Sequence, residues 1–460
     1  MRHGMRAVAA AAALALAPPA GAAYFDREAA VDHALSNNPR LDVSQASISA
    51  AEADLEAARS GGSAQVALTA SGSASNNPLD AFSHKLQAGN IEADMAAGDL
   101  GDFDPDELNN PDPSFLMSTG VEVRYPLYTG GRVSAGIDGA ESAREAAELG
   151  HLRAREVIAY QTRRAYLAVQ AAERGLTIAE DAVAAAREHA ETTRRLVRDG
   201  RIVESDQLTA EVNLNEMEAR RDQAAEGVRR ARNRLRLVMG LDRGESLEVA
   251  ELPPVDEVPE LADLATLQDQ ALDSRRDLQS LRAQQAAQRA RVDMEEAAYG
   301  PQVNLIASGN TYGENSAYDN TAWRAMAQVR YQLWDGGTAS SKAAAAQRRA
   351  DRVRAEIASR QHEVRSEVRQ AVDAIELART RLENSRGTVE RARENVTQVD
   401  RRYGQGRTIL IDVLQAEGRL VKARSEVLSA RHALHAGLLQ LTAAQGRLLE
   451  ENRSTMGEMP

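Results

Sequence analysis

The sequence lacks cysteine altogether and holds few aromatic residues: 2 Trp, 4 Phe and 10 Tyr, 3% of its 460 residues. Without cysteine no disulfide can staple an exported fold, and no thiol is present to accept a lipid anchor. With so few large rings, a thick globular core is disfavoured. Long apolar runs are missing too. Beyond the N-terminus no segment offers about 18 consecutive apolar residues, which excludes a membrane-spanning helix. Positive charge is short: 56 Lys and Arg stand against 68 Asp and Glu, a net charge of −12. A nucleic-acid partner would need a clustered basic surface, so none is expected. Proline is absent from Leu127 to Leu252 and again from Gln302 to Met459. What remains is rich in Ala, Arg, Glu and Gln, the composition of long helices with narrow, small-residue seams.

The first residues, MRHGMRAVAAAAALALAPPAGAAYF, place Arg2 and Arg6 before the apolar stretch Ala7–Ala17, followed by small residues at 20–23. This is the pattern of an export signal spanning 1–23. An exported chain without a spanning helix is periplasmic, secreted, or an outer-membrane barrel; only the last crosses a bilayer.

The rest of the chain is written twice. ALSNNPRL (Ala34–Leu41) returns as ALDSRRDL (Ala271–Leu278), and QVALTASG (Gln65–Gly72) as QVNLIASG (Gln302–Gly309), both 237 residues later. YPLYTGGR (Tyr125–Arg132) returns as YQLWDGGT (Tyr331–Thr338), and RLVRDGRIVESDQLTAE (Arg195–Glu211) as RRYGQGRTILIDVLQAE (Arg401–Glu417), now 206 residues later. The first copy therefore carries an insertion of about 31 residues between its strands. Each copy reads helix, strand, loop, strand, long helix, tight turn, long helix. The boundaries follow: a first repeat at 24–240, a Pro-containing acidic linker at 241–262, a second repeat at 263–450 and a flexible tail at 451–460. Strands are expected at about 64–74, 116–128, 301–312 and 322–335. Long helices are expected at 131–198, 204–240, 337–402 and 409–450.

Strand character is clearest where Val121, Val123, Tyr125 and Leu127 alternate with Glu122 and Arg124. In the second copy Ala325, Ala327, Val329, Tyr331 and Leu333 alternate with Met326, Gln328, Arg330 and Gln332. A lipid-facing barrel strand requires this alternation, and a soluble amphipathic strand would share it. Aromatics at the strand ends (Tyr125, Tyr128, Tyr312, Tyr318, Trp323, Tyr331, Trp334) favour the membrane reading, because such rings settle at the lipid–water boundary. In the helices, Val364, Val368, Ala371, Ile375, Ala378, Leu382, Val389, Ala392, Val396 and Val399 form a coiled-coil seam. Ile158, Ala165, Val169, Ala172, Leu176, Ala179, Val183 and Ala186 repeat it in the first copy. The pairs Gly130-Gly131 and Gly336-Gly337 mark strand-to-helix junctions, where glycine tolerates backbone angles other residues resist. The stretch 75–114, with nine acids and one lysine, reads as an acidic external loop.

These duplicated junctions, the ALSNNPRL start and the turn motifs DGRIVESDQLTAE and GQGRTILIDVLQAE resemble the TolC-like outer-membrane efflux family over essentially the whole mature chain. The resemblance implies a mainly α fold with a membrane β-barrel. In it a homotrimer closes twelve strands, four per protomer, continued by a long α-helical coiled-coil tunnel with an internal two-fold sequence repeat. It implies outer-membrane lipid around the barrel, a periplasmic adaptor at the helical tips, and through it an inner-membrane RND, ABC or MFS-type pump. The tips would be Gly200, Arg201, Gln405 and Gly406. Of the family's gate residues, Asp206, Tyr403 and Asp412 stand in place. Thr408 occupies the gate arginine's position with Arg407 one residue before it, and Gln415 replaces a second ring aspartate. Three copies of Asp412 at a trimer axis would favour bound cations or raised pKa values. Asp206 and Asp412 also suit helix N-capping, and the two roles can coexist.

No nucleophile–base–orienter motif and no phosphate-binding glycine loop occurs, so no enzyme and no cofactor are expected. His432 and His435 lie three apart without a third ligand and read as a solvated helix face, not a metal site. Runs such as RTRLENSRGTVERARENV read as salt-bridged helix surface. The leading expectation is an exit duct carrying small molecules from an inner-membrane pump, with type I protein secretion as the alternative. A periplasmic coiled-coil adaptor or a secreted helical binding protein explains less of the pattern.

Overall fold

The computed structural model describes residues 23–89, 109–241, 247–251, 260–313 and 320–449. The expected signal (apart from Ala23), most of the acidic insertion, much of the linker, Tyr318 and the C-terminal tail lie outside these residues. The elements are β1 (Ala23–Phe25), α1 (Arg27–Asn37), α2 (Pro39–Ser60), β2 (Gln65–Ser75), α3 (Pro78–Ala88), β3 (Ser114–Tyr128), α4 (Arg132–Arg198), α5 (Glu204–Met239), β4 (Leu247–Val249), α6 (Leu264–Ser274), α7 (Arg276–Glu296), β5 (Gln302–Gly313), β6 (Asn320–Arg330), α8 (Thr338–Gly404) and α9 (Leu410–Ala444). No described helix is long and apolar enough to cross a membrane. The chain forms two compact units, one holding Ala46–Glu148 and Gln279–Ala358, the other the remainder.

In the first unit the strands form one antiparallel sheet in the order β2-β3-β5-β6. Its register carries the apolar alternation from strand to strand. Leu68 pairs with Val121, Val121 with Gly309 and Gly309 with Trp323 in one row; Tyr125 pairs with Leu305 and Leu305 with Ala327 in another. Val66, Leu68, Val121, Tyr125, Leu305, Trp323 and Val329 are all exposed, Trp323 at 83%. The opposite face carries the polar groups, with Leu116, Ile306 and Met326 among them: Ser71 and Ser118 hydroxyls lie 2.8 Å apart, and Arg124 pairs with Glu122 at 3.1 Å. A β-bulge between Pro126 and Tyr128 ends the ladder regularity of β3, the usual place for a proline within an interior strand.

Three expected boundaries move. The fourth strand stops at Arg330 rather than continuing to 335. Asp335 is the reason: its carboxylate accepts from the N–H groups of Gly337 (2.9 Å), Thr338 (3.1 Å) and Ala339 (2.7 Å) and starts α8. Helix α9 ends at Ala444 rather than 450, because Gly446 takes a left-handed φ of 69° that reverses the chain. The stretch 75–114 is not all loop. Asn77 accepts from the Leu79 N–H at 3.0 Å and caps α3, whose His84 lies between the hydroxyls of Ser73 (3.1 Å) and Ser114 (2.8 Å). The four junction glycines all have positive φ: 68° and 90° at Gly130 and Gly131, 71° and 85° at Gly336 and Gly337.

In the second unit the long helices bury the seam within the chain at Val364, Val368, Ala371, Ile375, Ala378 and Leu382. Beyond them Val389, Ala392, Val396 and Val399 are only half-buried. The echoed octapeptide acquires a role here. In each copy it forms a kink between two helices, α1/α2 and α6/α7, and the kink residue covers the end of the last long helix. Asn38 donates to the Val238 carbonyl at 2.7 Å, and Arg275, at the equivalent position, donates to the Ala444 carbonyl at 3.2 Å. Both satisfy carbonyls that a helix C-terminus leaves without partners. The described part of the linker also packs: β4 pairs in parallel with β1, and Leu247 is buried against Ala30 and Tyr166.

Candidate functional site

The two helix-to-helix turns, α4 to α5 and α8 to α9, have the same backbone. Gly200 and Gly406 each have φ of 69°. The N–H of Gly200 bonds the Val197 carbonyl and that of Arg201 the Leu196 carbonyl, both at 2.9 Å. Gly406 to Tyr403 and Arg407 to Arg402 repeat the arrangement, both at 2.8 Å. These paired bonds close the helix C-terminus and demand a residue content at positive φ. The next helices begin alike: Asp206 N–H bonds the Val203 carbonyl at 3.0 Å, and Asp412 N–H the Ile409 carbonyl at 3.2 Å.

The N-cap residues are Val203 and Ile409, and neither makes a side-chain cap bond. Asp206 and Asp412 therefore lie in the first turn rather than at the cap, where their charge favours the helix N-terminus. Thr408 donates its hydroxyl to Asp412 at 2.6 Å. Asp412, Arg407, Gln405 and Gln415 are exposed, as are Gly200, Arg201 and Gly406; Asp206 and Thr408 are half-buried. Exposed apolar side chains flank them, with Val203 64% and Ile409 63% exposed.

Tyr403 differs from the others. It is 4% exposed and packs with Ala190, Leu196, Ala210, Leu410 and Val413. Its hydroxyl meets that of Thr193 at 3.0 Å, both buried. Burial and the Asp206 carboxylate push its phenol above the usual range, although the Thr193 bond acts in the opposite direction. Thr193 was not singled out from the sequence, because one threonine on a helix carries no signal until its partner is placed.

A second cluster was also missed. His189 on α4, 8% exposed, stands between Asp400 of α8 and Glu417 of α9. Burial alone would lower the imidazole pKa, but Glu417, Asp400 and Glu188 outweigh it and raise it. Neither of the histidines weighed from the sequence, His432 or His435, is fully solvated: both are half-buried. The run at 379–396 does hold the expected ion pairs along one helix, Arg379–Glu383 at 3.2 Å and Arg393–Glu390 at 3.4 Å, all exposed.

The site is thus a set of polar groups and small turns at the ends of paired helices, without an arrangement for bond-making chemistry among the described residues. The sequence profile described as outer membrane efflux protein matches residues 30–241 and 267–447. Solved structures share the fold. A membrane protein from Pseudomonas aeruginosa superposes with a TM-score of 0.76 at 19% identity, covering 91% of this chain and 90% of its own. The CmeC outer membrane channel of Campylobacter jejuni gives 0.75 at 17% identity, covering 94% and 88%. The open-state MtrE outer membrane channel of Neisseria gonorrhoeae gives 0.72 at 19%, covering 91% and 88%. None of the curated proteins matches the sequence.

Proposed function

From the premise that the chain belongs to the outer membrane efflux protein family, channels of the outer membrane and not enzymes, we propose that three copies form one efflux duct. Members of the family work as trimers with a periplasmic adaptor and an inner-membrane pump. The observation that carries the reading for this chain is the sheet. Its four strands present one continuous exposed apolar face and one polar face, while β2 and β6 stand at its two edges. Open edges are not tolerated in lipid, so a sheet of this kind must close on further strands. Closure by three copies gives a twelve-stranded barrel with apolar side chains outward and polar ones toward a water-filled lumen.

The turns at Gly200 and Gly406 form a helical end of the duct that meets the adaptor. Tyr403, Asp206 and Asp412 hold that end closed, with Arg407, Thr408 and Gln415 in its rim. Energy comes from the pump, and cargo passes when the helical ends separate. Exported small molecules are the cargo class the reading favours.

A single cysteine placed at Gln405 tests the whole reading, because the chain has no other. A short photo-crosslinker attached there in cells should capture a periplasmic adaptor, with the protein in the outer-membrane fraction. All protein in the soluble periplasm would overturn the duct. For the gate, Asp206→Ala and Tyr403→Phe should each raise single-channel conductance in planar bilayers. Conductance equal to wild type in both would remove these residues from the gate.

A further inference from the structure

We propose that His189, Asp400 and Glu417 form a binding site for one divalent transition-metal ion of the zinc class, joining α4, α8 and α9 near their turns. The three residues are far apart in sequence, yet one donor atom from each lies within 4.8 Å of the other two. Nδ1 of His189 is 3.7 Å from Asp400 Oδ1, and Nε2 is 3.7 Å from Glu417 Oε1. Both distances are too long for direct hydrogen bonds, which end near 3.2 Å. Either one alone approaches the separation of two ligands on one metal: bonds of about 2.0–2.1 Å in a tetrahedron put ligand atoms roughly 3.4 Å apart.

The metal takes one ring nitrogen. The carboxylate facing the other nitrogen must then close a gap of at most 4.8 Å to ligand spacing. The second ring nitrogen stays free to donate to a carboxylate or water, the usual support of a ligating histidine.

Charge argues for the same occupant. The groups acting on the imidazole are Glu417, Asp400 and Glu188, all acidic. Asp400 in turn feels Glu417 and Glu188 as like charges, with His189 as its one opposing neighbour. A divalent cation would balance this excess. One imidazole and two carboxylates suit zinc, manganese or iron(II). They do not suit soft ions such as copper(I), which take thiolate and thioether ligands. Three protein ligands leave a fourth position for water. The half-exposed Asp400 side chain gives the ion a way in.

The position gives the ion a consequence. Asp400 precedes Tyr403 by three residues and His189 precedes Thr193 by four, so the metal would sit about one helical turn from the Thr193–Tyr403 bond. It would tie the first repeat's α4 to the second repeat's α8 and α9. Only this effect on opening rests on the duct reading; binding itself does not.

Equilibrium dialysis of the detergent-solubilised full-length protein against zinc chloride, followed by elemental analysis, tests the site. Wild type should retain one zinc per chain. His189→Ala and the near-isosteric Glu417→Gln should each weaken binding at least about 10-fold, while His432→Ala should bind as wild type. Failure of wild type to retain stoichiometric zinc would overturn the proposal, as would unchanged binding in both ligand variants. Neither result depends on conductance or adaptor capture, so the site and the duct can fail separately.

Discussion

Arg275 is the largest fully enclosed side chain of the described residues, and its guanidinium carries an unusual load. It donates to Asp277 at 2.7 Å, to Glu367 at 2.6 Å and to the Ala444 carbonyl at 3.2 Å, while Arg360 reaches Asp277 at 2.9 Å. Burial would raise the Asp277 carboxyl, but Arg275, Arg153 and Arg360 together hold it well below the usual carboxylate range. A depressed folded pKa means the contribution is present above the unfolded pKa and is lost only as pH falls through the folded one. Asp277→Asn should therefore cost about 2–3 kcal/mol at neutral pH. That difference from wild type should persist to about pH 4, the unfolded value, and shrink only below it, as read from thermal melts in detergent across pH. Glu156 has the opposite sign. Burial raises its carboxyl despite the Arg153 bond at 3.0 Å, so Glu156→Gln should stabilise at pH 7 and lose that advantage below the usual glutamate range. The sequence displayed the octapeptide containing Arg275 as an echo of the one containing Asn38. It could not reveal that each covers a helix end, because the covered carbonyls lie about 170–200 residues away along the chain.

At the scale of elements, the turns and seams were legible to the extent that local chemistry decides them. A glycine that must adopt φ of 69° announces itself beside a duplicated motif, and Gly200 and Gly406 both meet that requirement. Gly406→Ala should cost about 1–2 kcal/mol, confined to the turn. Hydrogen exchange should quicken for amides around 402–412 while the seam around Val364–Leu382 keeps its protection. The seam was readable as a spacing, but its degree of cover was not. Val364 through Leu382 are enclosed by the chain itself, whereas Val389 through Val399 find only part of a partner there. Strand β6 shows the limit of alternation as a signal. Tyr331 and Leu333 continue the pattern, yet Asp335 captures three backbone N–H groups and the helix start wins the segment. For the candidate gate, motif positions pointed to Asp206, Tyr403 and Asp412. Thr193, His189, Asp400 and Glu417 emerge only when helices from both repeats are brought side by side.

For the molecule as a whole, the sheet divides its substitutions by face. Leu68→Lys would place a charge on the apolar face and should reduce outer-membrane assembly by about 2–4 kcal/mol if the site lies near mid-bilayer. Ser71→Lys, three residues along but on the polar face, should assemble normally; comparing membrane-inserted protein for the two variants checks this. The long helices carry a further consequence. Both α4 and α8 contain 67 residues, and the helices that follow contain 36 and 35. Thr193 of α4 meets Tyr403 of α8 beside the two turns. One residue added to α4 alone would carry its turn about 1.5 Å past the other and rotate it by about 100°. Length in this protein is a quantity held in duplicate: a lineage can lengthen or shorten the helices only by editing two distant stretches of the gene alike.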